Sequence, residues 1–205
     1  MSNRLYLFNA SRKLRREVIS KALEPICQVK ELDVREVEDC RDIIEPFVEA
    51  AFNPARGQAH GQKVLDSLHS TRVFGQELGD DGKLIIIDRD LYSDYATNWC
   101  FGGFCPVSNS LGYILLSTAR ISDETLGEHI VRHELGHMFG APSEGRTNTV
   151  DILGLHCSNN LCTMQQQLSV PEALRYAHRI KSAGIFPFCE QCVEDMRRYR
   201  PPERV

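Results

Sequence analysis

The chain has 205 residues, 42% of them hydrophobic, and its 24 basic and 28 acidic side chains leave a formal net charge of −4 and an isoelectric point near 6.0. That length fits one domain, with room for two lobes around a cleft, and the acidic balance argues against a nucleic-acid binder, for which a basic face is expected. Eight cysteines fall well short of disulfide-scaffold density, and without an apolar run long enough for a secretory signal or a membrane span the expectation is a cytoplasmic monomer with no membrane partner.

Arg4–Ala10 reads as a first strand, with Leu5 and Leu7 on one face and Tyr6 and Phe8 on the other. Ser11 is the expected N-cap of a helix running to about Leu23, ended by Pro25. Within it Arg12-Lys13-Leu14-Arg15-Arg16 reads as a solvated face. Gln28–Val34 looks like a second strand, and Pro46 is suited to the first position of a helix reaching Phe52. After the turn Asn53-Pro54-Ala55-Arg56-Gly57, a further helix is expected over Gln62–Ser70. Lys83–Asp88, with Leu84-Ile85-Ile86-Ile87, is apolar on both faces and so a central strand. Trp99–Phe104 and Gly112–Ser117 follow as strands.

A helix then starts near Ser122 or Thr125, where Thr125-Leu126-Gly127-Glu128 fits a capping box. Leu126, Ile130, Leu135, Met138 and Phe139 surround it with apolar side chains, which predicts burial. It carries His133-Glu134-Leu135-Gly136-His137, an H-E-x-x-H motif. On a helix the two histidines lie about 40° apart around the axis and one turn apart along it, so both imidazoles can grip one Zn²⁺. Glu134 points roughly 100° away from His133, near enough to reach an activated water without being a ligand. A buried helix bearing these polar groups needs compensation, which a metal supplies.

Gly140 can end this helix three residues after His137. The simple extended pattern H-E-x-x-H-x-x-G-x-x-H would put a third histidine at position 143, which is Ser143; the next histidine is His156, in His156-Cys157-Ser158-Asn159-Asn160-Leu161-Cys162-Thr163-Met164. Ser169-Val170-Pro171-Glu172 opens a helix that Gly184 ends after Ala183. Phe188-Cys189-Glu190-Gln191-Cys192 follows it, and Arg197–Pro202 reads as a frayed end.

Over about residues 84–192 this set of motifs resembles the archaemetzincins, zinc metallopeptidases of the metzincin clan. Asp88-Arg89-Asp90-Leu91-Tyr92 and Ser117-Thr118-Ala119-Arg120 look like family segments as well. The resemblance implies an α/β (α+β) fold: a two-lobed metzincin-like catalytic domain spanning 1–205, with a twisted mixed sheet, an active-site helix and a zinc-tied C-terminal lobe. Its upper lobe would cover about 1–140 and its lower lobe about 141–205. Two zinc ions are implied, a catalytic one on His133, His137 and His156 with Glu134 as general base, and a structural one on Cys157, Cys162, Cys189 and Cys192. Met164 would be the methionine of the Met-turn. The chain departs from the pattern in the insertion 141–155, where the family has two residues, and in a longer Met164–Cys189 gap.

The cysteine spacing supports the second site independently, since C-x4-C and C-x2-C thiolates can close an all-sulfur tetrahedral site. Cys27 and Cys40 read as core residues, Cys100 and Cys105 as free thiols, and His60, His69, His129 and His178 as ordinary histidines. For the third catalytic ligand, Asp151, Glu144 and Glu172 stand as carboxylate alternatives; the position of His156 beside Cys157 favours the histidine. The function expected is hydrolysis of peptide bonds in a peptide or protein substrate, held by pairing along an edge strand, with Trp99–Phe104 the favoured edge and Gly112–Ser117 the alternative. A catalytically latent, zinc-stabilised peptide-binding module is the alternative.

Overall fold

The computed structural model describes residues 3–71, 73–74, 81–94, 99–107 and 110–201. The chain divides into two compact units, one of residues 1–13, 32–120 and 201–205 and one of residues 14–31 and 121–200. The second of these units takes in the whole H-E-x-x-H helix, with the division at 120/121. The H-E-x-x-H helix belongs with the C-terminal residues because it packs on the helix Val170–Ala183 from that part of the chain and on the helix Arg16–Val29.

The first unit is built on a mixed five-stranded sheet in the order β2-β1-β5-β8-β7. Its strands are β1 (Asn3–Asn9), β2 (Leu32–Glu36), β5 (Gly82–Ile87), β7 (Gly102–Val107) and β8 (Ser110–Ser117). The first four in spatial order run parallel, and β7 is antiparallel to β8. As its doubly apolar pattern predicts, β5 is central and buried at every residue. Of the two expected edge candidates, β7 lies at an edge and β8 inside. Three short strands, β3 (Phe52–Asn53), β4 (Gln58–His60) and β6 (Leu91–Tyr92), make a small second sheet. The helices α2 (Arg41–Ala50) and α3 (Gly61–Ser70) contribute Ile44, Val48, Val64, Leu65 and Leu68 to a core shared with Phe8, Ile85 and Leu115.

Two prolines are not where the sequence suggested. Pro46 lies inside α2 and not at its start, since fully buried Ile44 and Val48, one turn apart, seat the helix from Arg41 onward. Pro25 lies inside α1 (Arg16–Val29), which continues past it and takes residues expected in the second strand. Packing of an amphipathic face outweighs local propensity in both cases. Ser11 caps no helix: its hydroxyl bonds Asp88 and Thr118.

The second unit contains α1, α4 (Glu124–Met138), α5 (Val170–Ala183) and α6 (Glu190–Arg198), with a hairpin of β9 (Thr149–Asp151) and β10 (Leu155–Cys157). α4 packs against α1 and α5. Its cap is Asp123, which accepts from Leu126 N at 2.8 Å, and not Thr125. Glu128, the expected partner in that box, is buried and pairs with Arg132 and Lys181. α5 starts and stops as expected, with Ser169 accepting from Glu172 N and Gly184 as the left-handed C-cap. Residues 197–198, expected to fray, form the last turn of α6. Cys27, expected in the core, is exposed, whereas Cys40 is buried. Among the described residues no helix is long and apolar enough to cross a membrane.

Candidate metal centres

Two clusters with metal-ligand chemistry form in the second unit: His133, His137 and His156, and Cys157, Cys162, Cys189 and Cys192. Within each, one candidate donor atom per residue lies within 4.8 Å of all the others. Both assemble from distant parts of the chain.

His133 and His137 sit one turn apart on α4, and their Nε2 atoms face each other at 3.2 Å. His156 comes from β10, with its ring stacked on His133 at 5.2 Å between centroids and edge-on to His137 at 5.0 Å. The insertion 141–155 is thus ordered in part as a hairpin, and this hairpin delivers His156. Its register pairs His156 with Val150. Cys157 N also donates to Met164 O at 2.8 Å, tying the strand to the segment carrying the methionine. Asp151, Glu144 and Glu172, the carboxylate alternatives, are exposed and outside the cluster.

The outer nitrogens set the tautomers. His133 Nδ1 lies 2.8 Å from Thr163 O and His156 Nδ1 lies 2.8 Å from Gly154 O. A carbonyl only accepts, so each Nδ1 carries the proton and each Nε2 presents a lone pair. His137 bonds the backbone of Ala141 in the same sense. Protonating the inner nitrogens is disfavoured, first by burial and then by the neighbouring imidazoles. His137 is held down to about 3, His133 well below its ordinary value, and His156 below it by burial. Lone pairs directed at each other at 3.2 Å repel unless a cation lies between them. A tetrahedral ion bound at about 2.0–2.1 Å separates its nitrogens by about 3.4 Å, so the donor set fits zinc.

Glu134, between the two histidines in sequence, is only 8% exposed. Burial alone raises its carboxyl to about 7. A carboxylate poised near neutrality suits proton transfer. His129, one turn before His133, is buried and bonds Gln167 Oε1 at 3.3 Å, so it is a hydrogen-bonded core histidine outside the cluster. His60 caps α3 and meets Asp94, and His178 pairs with Asp123.

Beneath the helix Met164 is fully buried, its Sδ against Gly136. Gly140 adopts φ +73°, the left-handed region that turns the chain away from α4, and an added Cβ would fall 2.3 Å from Tyr199 Cδ2. Position 140 is therefore closed to larger residues by both backbone and packing.

In the sulfur cluster Cys157 and Cys189 are 3.8 Å apart. Four thiolates around zinc at about 2.3 Å would stand about 3.8 Å apart. Backbone N–H groups of Asn159 and Cys189 donate to Cys157 Sγ and Cys162 Sγ, each at 3.4 Å. The Cys157 thiol is drawn below its ordinary value, chiefly by its bond with Cys162. Sequence reasoning missed Arg146, which reaches two of the sulfurs from inside the insertion and has no motif spacing to mark it.

No protein-family model and no curated protein sequence matches the chain. Its fold is nevertheless that of archaemetzincin. The chain is similar to the crystal structure of archaemetzincin from Archaeoglobus fulgidus complexed with malonate, with a TM-score of 0.55 and 20% sequence identity over 95% of this chain and 99% of that one.

Proposed function

We propose that the protein is a zinc-dependent peptidase, with His133, His137 and His156 holding a catalytic zinc and Cys157, Cys162, Cys189 and Cys192 a structural one. The observation that carries this reading is the convergence of three imidazole lone pairs, each fixed by an outer hydrogen bond, beside a buried glutamate. The archaemetzincin fold supports it. A zinc ion bound there would supply Lewis acidity, acidifying water and polarising a scissile carbonyl. The chain's own residues do the rest. Glu134 accepts the proton of the attacking water at its carboxylate and returns it to the leaving amine. Thr163 O, Gly154 O and the Ala141 backbone hold the imidazoles in the tautomer that presents Nε2. Met164 packs beneath the helix, and the sulfur site ties Cys157, next to His156, to the start of α6.

The test is hydrolysis of a mixed peptide library by zinc-loaded wild type and Glu134→Ala. Wild type should cleave and the variant should lose about 10²–10⁴-fold while keeping its zinc, because a base but no ligand is removed. Binding of peptides by wild type without cleavage would make the protein a binding module.

A further inference from the structure

Arg146 lies in the insertion 141–155, outside the archaemetzincin motif pattern, and only 11% of its side chain is exposed. All five of its guanidinium N–H donors are engaged. Nε donates to Asn148 Oδ1 at 3.0 Å. Nη1 donates to Cys192 Sγ at 3.3 Å and to Asp195 Oδ2. Nη2 donates to Cys157 Sγ at 3.6 Å and to Gln191 Oε1 at 3.3 Å. One guanidinium thus bridges a sulfur from each cysteine pair, Cys157 of the C-x4-C and Cys192 of the C-x2-C.

That placement has a charge argument behind it. Four thiolates around a divalent ion carry a net charge of about −2, and buried negative charge needs compensation: Cys157, Cys162 and Cys192 are fully buried. The backbone N–H groups of Asn159 and Cys189 supply dipoles to Cys157 and Cys162 but no net charge. Arg146 is the cation in contact with the sulfurs among the described residues, and a neutral thiol would return little for such a donor. The same residue is joined to the hairpin: Thr149 Oγ1, at the start of β9, donates to Arg146 O at 3.1 Å. Asp195, its ion-pair partner, accepts from Ser143 N at 3.0 Å and Ser143 Oγ at 2.7 Å.

We propose that Arg146 is a positioning residue of the four-cysteine metal site, supplying counter-charge to Cys157 and Cys192 and fastening the insertion to the metal-loaded cluster. The proposal rests on the reading of that cluster as a metal site. It does not depend on peptidase activity.

The experiment is cobalt(II) titration of the full chain, following the thiolate-to-cobalt charge-transfer band and measuring affinity by chelator competition. Arg146→Met should weaken metal at the sulfur site about 10–100-fold, the usual effect of losing a ligand's hydrogen-bonding partner. It should also move the band to longer wavelength, since sulfur lone pairs rise in energy when a cationic donor is removed. Arg146→Lys keeps the charge without the fork and should fall between wild type and Arg146→Met. Asp195→Asn breaks the ion pair but leaves both sulfur contacts, so it should lower the melting temperature without shifting the band. An unchanged band and affinity in Arg146→Met would overturn the proposal. So would a shift in Asp195→Asn as large as in Arg146→Met, because anchoring of the insertion would then explain the effect. A wild-type protein that shows no thiolate band refutes the four-cysteine site itself, and the role of Arg146 with it.

Discussion

Met164 Sδ lies 2.1 Å from the point where a Cβ on residue 136 would stand, so the methionine occupies the space that Gly136 leaves open in the middle of the H-E-x-x-H motif. Met164 Cε and Phe188 Cε1 close the same space at 3.0 and 3.4 Å. Alanine would gain about 1 kcal/mol of helix propensity at this position, but the fully buried thioether must move to admit it. Gly136→Ala should therefore destabilise by about 1–3 kcal/mol net. Met164→Ala alone should cost about 2–5 kcal/mol through the cavity it opens. In the double variant the new methyl partly fills that cavity, so urea unfolding should give a total smaller than the sum of the single effects. Strict additivity would mean the two residues are not in contact.

Arg132 repairs a defect in a different helix. Pro25 has no N–H, so the carbonyl of Lys21 one turn earlier in α1 lacks its helical donor. Arg132 Nη2 supplies one at 3.1 Å and also pairs with buried Glu128. Arg132→Met should destabilise by about 1–3 kcal/mol, mostly by weakening the compensation of buried Glu128, which keeps Lys181 at 3.5 Å. Adding Pro25→Ala restores an N–H for the Lys21 carbonyl and should recover about 1 kcal/mol of that loss. Equilibrium denaturation of the two variants and the pair would show this recovery or its absence.

The third ligand of the proposed catalytic zinc can be assigned by metal counting. His156→Ala should leave one zinc per chain, on the sulfurs, because the cysteine cluster shares no donor with the histidine cluster. Asp151→Ala should retain two, since Asp151 is exposed and outside both clusters. Elemental analysis of dialysed protein makes the comparison. Loss of zinc from Asp151→Ala with retention in His156→Ala would replace the histidine with a carboxylate.

His129 predicts a pH dependence. Burial holds its imidazole down to about 4 from an ordinary value of 6.5. With the folded value below the unfolded one, the stabilisation is fully present above about 6.5 and is lost as pH falls toward about 4, where the unfolded chain takes up a proton that the folded one refuses. A shift of that size corresponds to on the order of 3 kcal/mol. His129→Asn should be less stable than wild type at neutral pH and lose less stability between pH 6.5 and 4. Urea unfolding of zinc-loaded protein across that range reads the slope, and parallel profiles would exclude His129 as the titrating group.

Features governed by neighbours a few residues apart were legible in the sequence. The spacing of His133 and His137 places both on one side of any helix, Gly184 closes α5 where the left-handed cap demands it, and the unbroken apolar run of β5 has no solvated face to offer. Where long-range contacts oppose local preference, only the tertiary structure decided. α1 runs through Pro25 because its buried face and the Arg132 donor outweigh one missing hydrogen bond, and Asp123 takes the cap of α4 while Glu128 turns to Arg132. His156 reaches the other two histidines because the β9–β10 ladder and the bond from Cys157 to Met164 return the chain to the helix, neither of which leaves a periodic trace. Arg146 is the extreme case: nothing in the residues around it marks an arginine that meets Cys157 eleven positions away and Cys192 forty-six away, since that meeting is made by the closure of the cysteine cluster and not by any repeat along the chain.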